Sequence, residues 1–438
     1  MREWPDDAFS AQIRDLALPL TGLPDLDPLV ERLGPMHFAC LGEASHGTHE
    51  FYRWRADLSR RLIEEKGFTW IGVEGDWPDC WRINRWVRGV TAPDLSARQV
   101  LAGFERWPTW MWANSDVADF LDWLRAWNLA RPADQRVGFY GLDVYSLWDS
   151  LRELIAWLDE HAPAAVAQAL QAWKCFVPYG EDPHQYAWAT RLVPESCEDE
   201  VVAVLAEVRR RAAPASGSPD DEGAFDAWQN AEVATNAERY YRTMVRGDRM
   251  SWNIRDHHMA GTAARIAQHL GPGAKGMLWE HNTHIGDARA TDMVRAGMVN
   301  VGQLMRERHA GDGVALVGFA AHRGTVLAAS GWGEPEVVFD VPAALWGSHE
   351  DLLHRVLGEP ACLIFPPDRA GGWLTVPRGH RAIGVVYEPR REAGNYVSTV
   401  IGQRYDALIW LEQTTALRPL HHEAPPREPE YETEPSGL

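Results

Sequence analysis

Apolar and polar positions fall into two rhythms along the chain. Short, near-continuous apolar runs occur at 36–42 (MHFACLG), 68–75 (FTWIGVEG), 137–143 (VGFYGLD) and 276–281 (GMLWEH). Others lie at 314–321 (VALVGFAA), 361–365 (ACLIF), 382–387 (AIGVVY) and 406–412 (DALIWLE). Runs of this length, apolar at every position instead of every second one, predict strands buried on both faces, as in a parallel sheet. Between them the period lengthens. In HEFYRWRADLSRRLIEEKG, residues Phe51, Trp54, Leu58 and Leu62 recur at helical spacing, and Gly67 supplies a stop. Strands alternating with helices predict an α/β fold: a mostly parallel central sheet flanked by helices.

One section breaks the alternation. From Tyr145 to Leu270 almost no strand signal occurs, while helical patterns follow one another. The expected organisation is an N-terminal helical lead-in (1–35), an α/β core in two pieces (36–144 and 271–420), and a helical bundle (145–270) inserted between them. The tail 421–438, EAPPREPEYETEPSGL at its end, is acidic and proline-rich and is expected to be disordered.

Composition narrows the functional classes. The 438 residues carry a net charge of -19, which opposes non-specific binding to nucleic acid or an anionic membrane. No stretch is apolar enough for long enough to span a bilayer, and Asp6 and Asp7 stand where a signal peptide needs an apolar run. The five cysteines are scattered without a C-x-x-C pair. They predict neither a disulfide scaffold nor a structural zinc site, and a reducing cytoplasm is the expected compartment. The 22 tryptophans are mostly packing residues, with a few expected to line a wide apolar cleft for a bulky, partly apolar small molecule. Oligomeric state is not legible.

Chemistry collects where the strands end. The first run leads into Glu43 and His46, the second ends in Glu74 and Asp76, the third ends in Asp143, and the fourth runs into Glu280, His281, Asn282 and His284. In an open parallel sheet, ligands bind beyond the carboxyl ends of the strands. A neutral histidine there is a natural general base, and a carboxylate partner, Glu43 or Glu74, would fix its tautomer. A second imidazole and a guanidinium would stabilise an oxyanion or a leaving oxygen. No G-x-S-x-G elbow is present, and Cys40 sits inside an apolar run as a buried, inert thiol. Attack by an activated water is therefore the simplest chemistry. His322, followed by Arg323 after another apolar run, is a further candidate for the same edge. No cofactor is expected. A divalent metal is the alternative, with His46, Glu74, His281 and His284 as its ligands and an amide or peptide as substrate.

Taken together, LGEASHGTHEFYRWR, GVEGDWPD, RGDRMSWNI, WEHNTHIG, VGFAAHRGTVLAA and the segment from Arg381 to Leu420 resemble the erythromycin esterase family. The resemblance runs in order from about Pro35 to Leu420. It implies an α/β core with an attached helical bundle and hydrolysis of a macrolactone ester by histidine-activated water, without a covalent acyl-enzyme. It places the family's catalytic positions on His46, Glu43, Arg55, Glu74, His281 and His284, and it is this alignment that selects Arg55 over Arg53. Asp76, Asp143, Asn282 and His322 are the expected substrate-side residues.

Overall fold

The computed structural model describes residues 7–179, 183–192, 196–211, 221–244, 249–368 and 371–422. Most of the tail, from 423 on, lies outside them. The strands are β1 (Ala17–Pro19), β2 (Phe38–Leu41), β3 (Trp70–Val73), β4 (Gly138–Gly141), β5 (Gly276–Trp279) and β6 (Val314–Ala329). They continue as β7 (Glu336–Val341), β8 (Ala361–Ile364), β9 (Arg378–Arg381), β10 (Tyr396–Thr399) and β11 (Ala407–Thr414). The fold is mixed α/β, with a large, mostly parallel sheet. The chain divides into two compact units: 1–71 with 86–138 and 274–438, and 72–85 with 139–273.

In the first unit the strand order runs β1-β8-β11-β6-β2-β5 and on to the first residues of β3 and β4, with β7 beside β6. The Thr69 N–H donates to the Lys275 carbonyl, and the Gly138 N–H to that of Thr69. β2 pairs in parallel with β5 and β6, and β11 in parallel with β6. The edge turns antiparallel through β8 and β1. β2, β5 and the inner part of β6 are buried throughout, which is why their sequences do not alternate.

The helix His49–Lys66 starts after extended Thr48 and stops at Gly67, which adopts φ 70. Its buried stripe holds Phe51, Tyr52, Leu58, Ser59 and Leu62, and also Arg55. Phe51 packs edge-on against Phe319 of β6.

The second unit is mainly helical: Leu147–His161, Pro163–Phe176, Pro183–Leu192, Glu198–Arg211, Asp221–Met244 and Arg249–Leu270. Leu151, Leu154, Leu158, Ala169, Phe176, Val208 and Tyr240 share one apolar core. Each large side chain fully buried there contributes about 1.5–3 kcal/mol.

Three expectations need correction. First, Cys175 and Cys197 form a disulfide. They lie 22 residues apart, but Cys175 is in the last turn of the helix Pro163–Phe176 and Cys197 immediately precedes the helix Glu198–Arg211, and these two helices pack together, so fold and not spacing brings the sulfurs into range. Second, 382–387 is not a strand. It touches its neighbours through isolated bridges, Ser45 to Ile383 and Ala329 to Val386, and buries Ile383 and Tyr387 against Val326 and Ala328. Third, β6 does not end near Ala321 but continues through His322 to Ala329, because the polar break in its sequence is where β7 and the end of β11 pair with it. Among the described residues, no helix is long and apolar enough to cross a membrane.

Candidate active site

In the first unit, β2 delivers Glu43 and His46 within a tight loop. Gly42 is required there: a Cβ on it would meet the Asn282 Oδ1 at 2.2 Å. Gly47 is required for the same reason, since its Cβ would fall 1.7 Å from the Leu327 carbonyl oxygen. The backbone is thus pressed against its neighbours at both glycines, which fixes the position of His46 between them.

His46 Nδ1 lies 2.8 Å from Glu43 Oε1. A carboxylate only accepts, so Nδ1 carries the proton and the basic lone pair is on Nε2. Behind Glu43, the Arg55 guanidinium approaches Oε2 at 3.0 Å. Both side chains of this ion pair are fully buried. The Arg55 guanidinium also rests over the rings of Tyr52 and Trp279, at 4.5 and 4.9 Å from their centroids. Arg53, by contrast, is half exposed and faces Asp57.

β5 delivers the second imidazole. The rings of His281 and His46 are 4.8 Å apart. His281 caps the short helix Asn282–Ile285, and its Nδ1 accepts the Thr283 N–H at 3.3 Å. In the neutral ring the proton then sits on Nε2, so His281 is a donor where His46 is an acceptor. His284, buried in the same turn, has its N–H bonded to the His281 carbonyl. Asn282 is fully buried, and its amide bonds the Phe319 N–H and carbonyl of β6, pinning this turn to the sheet. Glu280 is also fully buried. Burial, with the Glu280 charge adding to it, raises the Cys40 thiol well above its ordinary range, so Cys40 stays protonated and inert.

Beneath Asn282 lies a pair the sequence did not signal. His380 Nδ1 meets Glu350 Oε1 at 2.6 Å. Burial pushes Glu350 up, but the charges of His380 and Arg381 outweigh it and hold the carboxyl at about 2. His322 stacks face to face on His354 at 3.7 Å.

The second unit holds its own set of charges. Arg255, in the helix Arg249–Leu270, donates to both carboxylate oxygens of Asp143 at 2.9 and 2.8 Å and to Glu74 Oε1 at 2.8 Å. All three residues are buried, as is Asp76. The Arg255 guanidinium also lies over the Tyr145 ring. Sequence reasoning missed Arg255; the signal was present in IRDHHMAG, where a charge sits within an otherwise buried helix face. His258, on the same helix, is driven down to about 3 by burial, whereas its neighbour His257 is exposed.

The erythromycin esterase family model matches residues 63–414. The chain belongs to the erythromycin esterase family. An erythromycin esterase type II from Escherichia coli is 31% identical over 120 residues, 27% of this chain and 26% of that protein's length. This chain therefore aligns with only about a quarter of that relative. A putative hydrolase, YbfO, from Bacillus subtilis (strain 168) is 20% identical over 86% of this chain and 83% of its own. Among solved structures, a mutant of the erythromycin esterase EreC in its open conformation superposes with a TM-score of 0.65 at 16% identity, over 90% of this chain and 95% of that one. A protein from Bacillus cereus gives a TM-score of 0.78 at 20% identity, over 96% of this chain and all of the other. At these identities the solved structures establish the shared fold. Family membership and the hydrolase-named relative support a hydrolase.

Proposed function

We propose that the protein hydrolyses an ester or lactone of a bulky, partly apolar small molecule, with His46 as the general base. One observation carries the reading: a buried imidazole whose Nδ1 is committed to Glu43, itself held by Arg55. The sequence offered Glu43 and Glu74 as alternative partners for the imidazole, and the hydrogen bond supports Glu43. In this reading Nε2 of His46 takes the proton from water as the oxygen attacks the substrate carbonyl. The Glu43 carboxylate stabilises the imidazolium that forms. His281 donates from Nε2 to the developing oxyanion, and His284 lies one turn on. Arg55, being fully buried, acts through Glu43 and not on the substrate. The proton then passes to the leaving alkoxide, and an acid and an alcohol, or one hydroxy acid from a lactone, are released.

The opposed tautomers of His46 and His281 favour this division of labour, since one ring accepts a proton while the other offers one. A macrolactone is the substrate that family membership suggests. The test is a mass-spectrometric screen of macrolides, small lactones, esters and amides against the wild type and His46→Ala. Ester or lactone products gaining one water with the wild type, and lost in the variant, support the reading. Turnover confined to amides would reject it.

A further inference from the structure

A cluster on β6 is not used by the proposed hydrolysis. Phe319 and His322 are three residues apart on one strand, so their side chains leave opposite faces of the sheet. Phe319 meets Phe51 of the helix His49–Lys66, and His322 therefore points to the other face. β11 runs parallel to β6, with Leu411 beside Ala321 and Gln413 beside Arg323. That register sets Glu412 next to His322. Over both lies the helix His349–Val356, whose last turn carries His354.

The three side chains converge. The rings of His322 and His354 are 3.7 Å apart and nearly parallel, at 4°. His354 Nδ1 is 2.7 Å from Glu412 Oε1. One ligand atom from each residue lies within 4.8 Å of the others. His322 is only 5% exposed, yet its Nδ1 has no hydrogen-bond partner, and neither does Glu412 Oε2. A buried ring nitrogen without a partner costs free energy that a ligand would recover.

We infer that His322, His354 and Glu412 form a binding site for a borderline-soft divalent cation of the zinc class. Two imidazoles and one carboxylate are a zinc-type ligand set, with a fourth position left for water. The nitrogen donors disfavour magnesium and calcium, which take oxygen. Bonds of about 2.0–2.2 Å put tetrahedral ligand atoms roughly 3.3–3.6 Å apart, so on binding the set closes by about 1 Å and the His354 ring turns out of its stack to bring its in-plane lone pair onto the ion. His354 and Glu412 have the freedom for this, since their side chains are 39% and 20% exposed and also give the ion access from solvent. Burial lowers His322, as do the charges of His354 and two arginines nearby, with Glu412 opposing them. One of those arginines, Arg381, is paired with Glu392. Bound there, the ion would tie β6, β11 and the helix His349–Val356 together.

The test uses the full chain, stripped with chelator and titrated with Zn²⁺ in a calorimeter, with the thermal midpoint read in parallel. The expected result is one equivalent bound and a raised midpoint. His354→Ala and Glu412→Gln should each weaken binding at least ~10-fold, since loss of even an outer partner has that effect. His46→Ala should bind like the wild type. Circular dichroism shows whether the variants fold, and Glu412→Gln, the gentler change, keeps the test decisive if His354→Ala does not. No binding by the wild type, or binding undiminished in both variants, overturns the proposal. So does a single equivalent lost in His46→Ala, which would place the ion at the hydrolytic histidines.

Discussion

Two clusters of buried carboxylates, one in each unit, were built from the same sequence pattern and ended with different partners. Glu43 follows β2 and meets an imidazole, with a guanidinium behind it. Glu74 and Asp143 follow β3 and β4 and meet a guanidinium directly. An imidazole exchanges its proton near neutral pH, and a guanidinium does not. The first cluster is therefore suited to moving a proton, the second to holding fixed charge. An acid at the end of a strand announces a polar site. Its partner decides whether that site does chemistry.

The difference can be broken experimentally, beginning with the largest effect. Arg255→Ala removes the cation shared by Glu74 and Asp143 and should destabilise the protein by about 3–5 kcal/mol, measured as a shift of the urea midpoint. Arg255→Lys should recover only part of this, because an ammonium cannot reproduce the paired contacts to Asp143. A loss below about 1 kcal/mol would mean that the second cluster is not a structural anchor.

In the first cluster the same kind of change should be read in rate. Glu43→Gln keeps the shape but removes the charge facing His46, and kcat/KM should fall ~10–10²-fold. The imidazole becomes less basic, so the acid limb of the pH–rate profile should move to lower pH. This variant also leaves Arg55 buried without a counter-charge. Adding Arg55→Met should restore the thermal midpoint without restoring the rate. Recovery of both would show that Glu43 only balances Arg55.

The smallest effect concerns a carboxylate hydrogen-bonded by neutral donors. Asp226 accepts from the Trp77 and Asn230 side chains, and burial pushes its carboxyl up to about 7. Between pH 4 and 7 the folded chain holds this proton while the unfolded chain, near 3.8, has lost it. Stability should therefore fall as pH rises through that window. Asp226→Asn keeps the acceptor and should gain about 1–2 kcal/mol at pH 8, the side chain being partly solvated, and nothing at pH 4. Urea midpoints at the two pH values check this, and an equal gain at both would reject the shift.

The sheet was legible where burial on both faces makes a run continuously apolar, as in β2 and β5. It was less legible where a strand carries a polar patch, as in β6 around His322 and Arg323. The apolar run at 382–387 misled because composition reports burial, and Ile383 and Tyr387 are buried without belonging to a ladder. Arg55 could have been found without any alignment: it lies on the stripe of Phe51, Leu58 and Leu62, where a charge has no reason to be unless paired. Arg255, His354 and Glu412 could not have been assigned their partners. Their pairing depends on which strands neighbour one another and how helices cross them, and no local pattern encodes that.

The proposed hydrolysis depends on His46, set by Glu43, deprotonating the attacking water. The most direct test is kcat/KM for His46→Ala on the ester or lactone found in the screen, with circular dichroism confirming the fold. A fall of at least ~10²–10⁴-fold in a folded protein is predicted. Turnover near that of the wild type would contradict the claim.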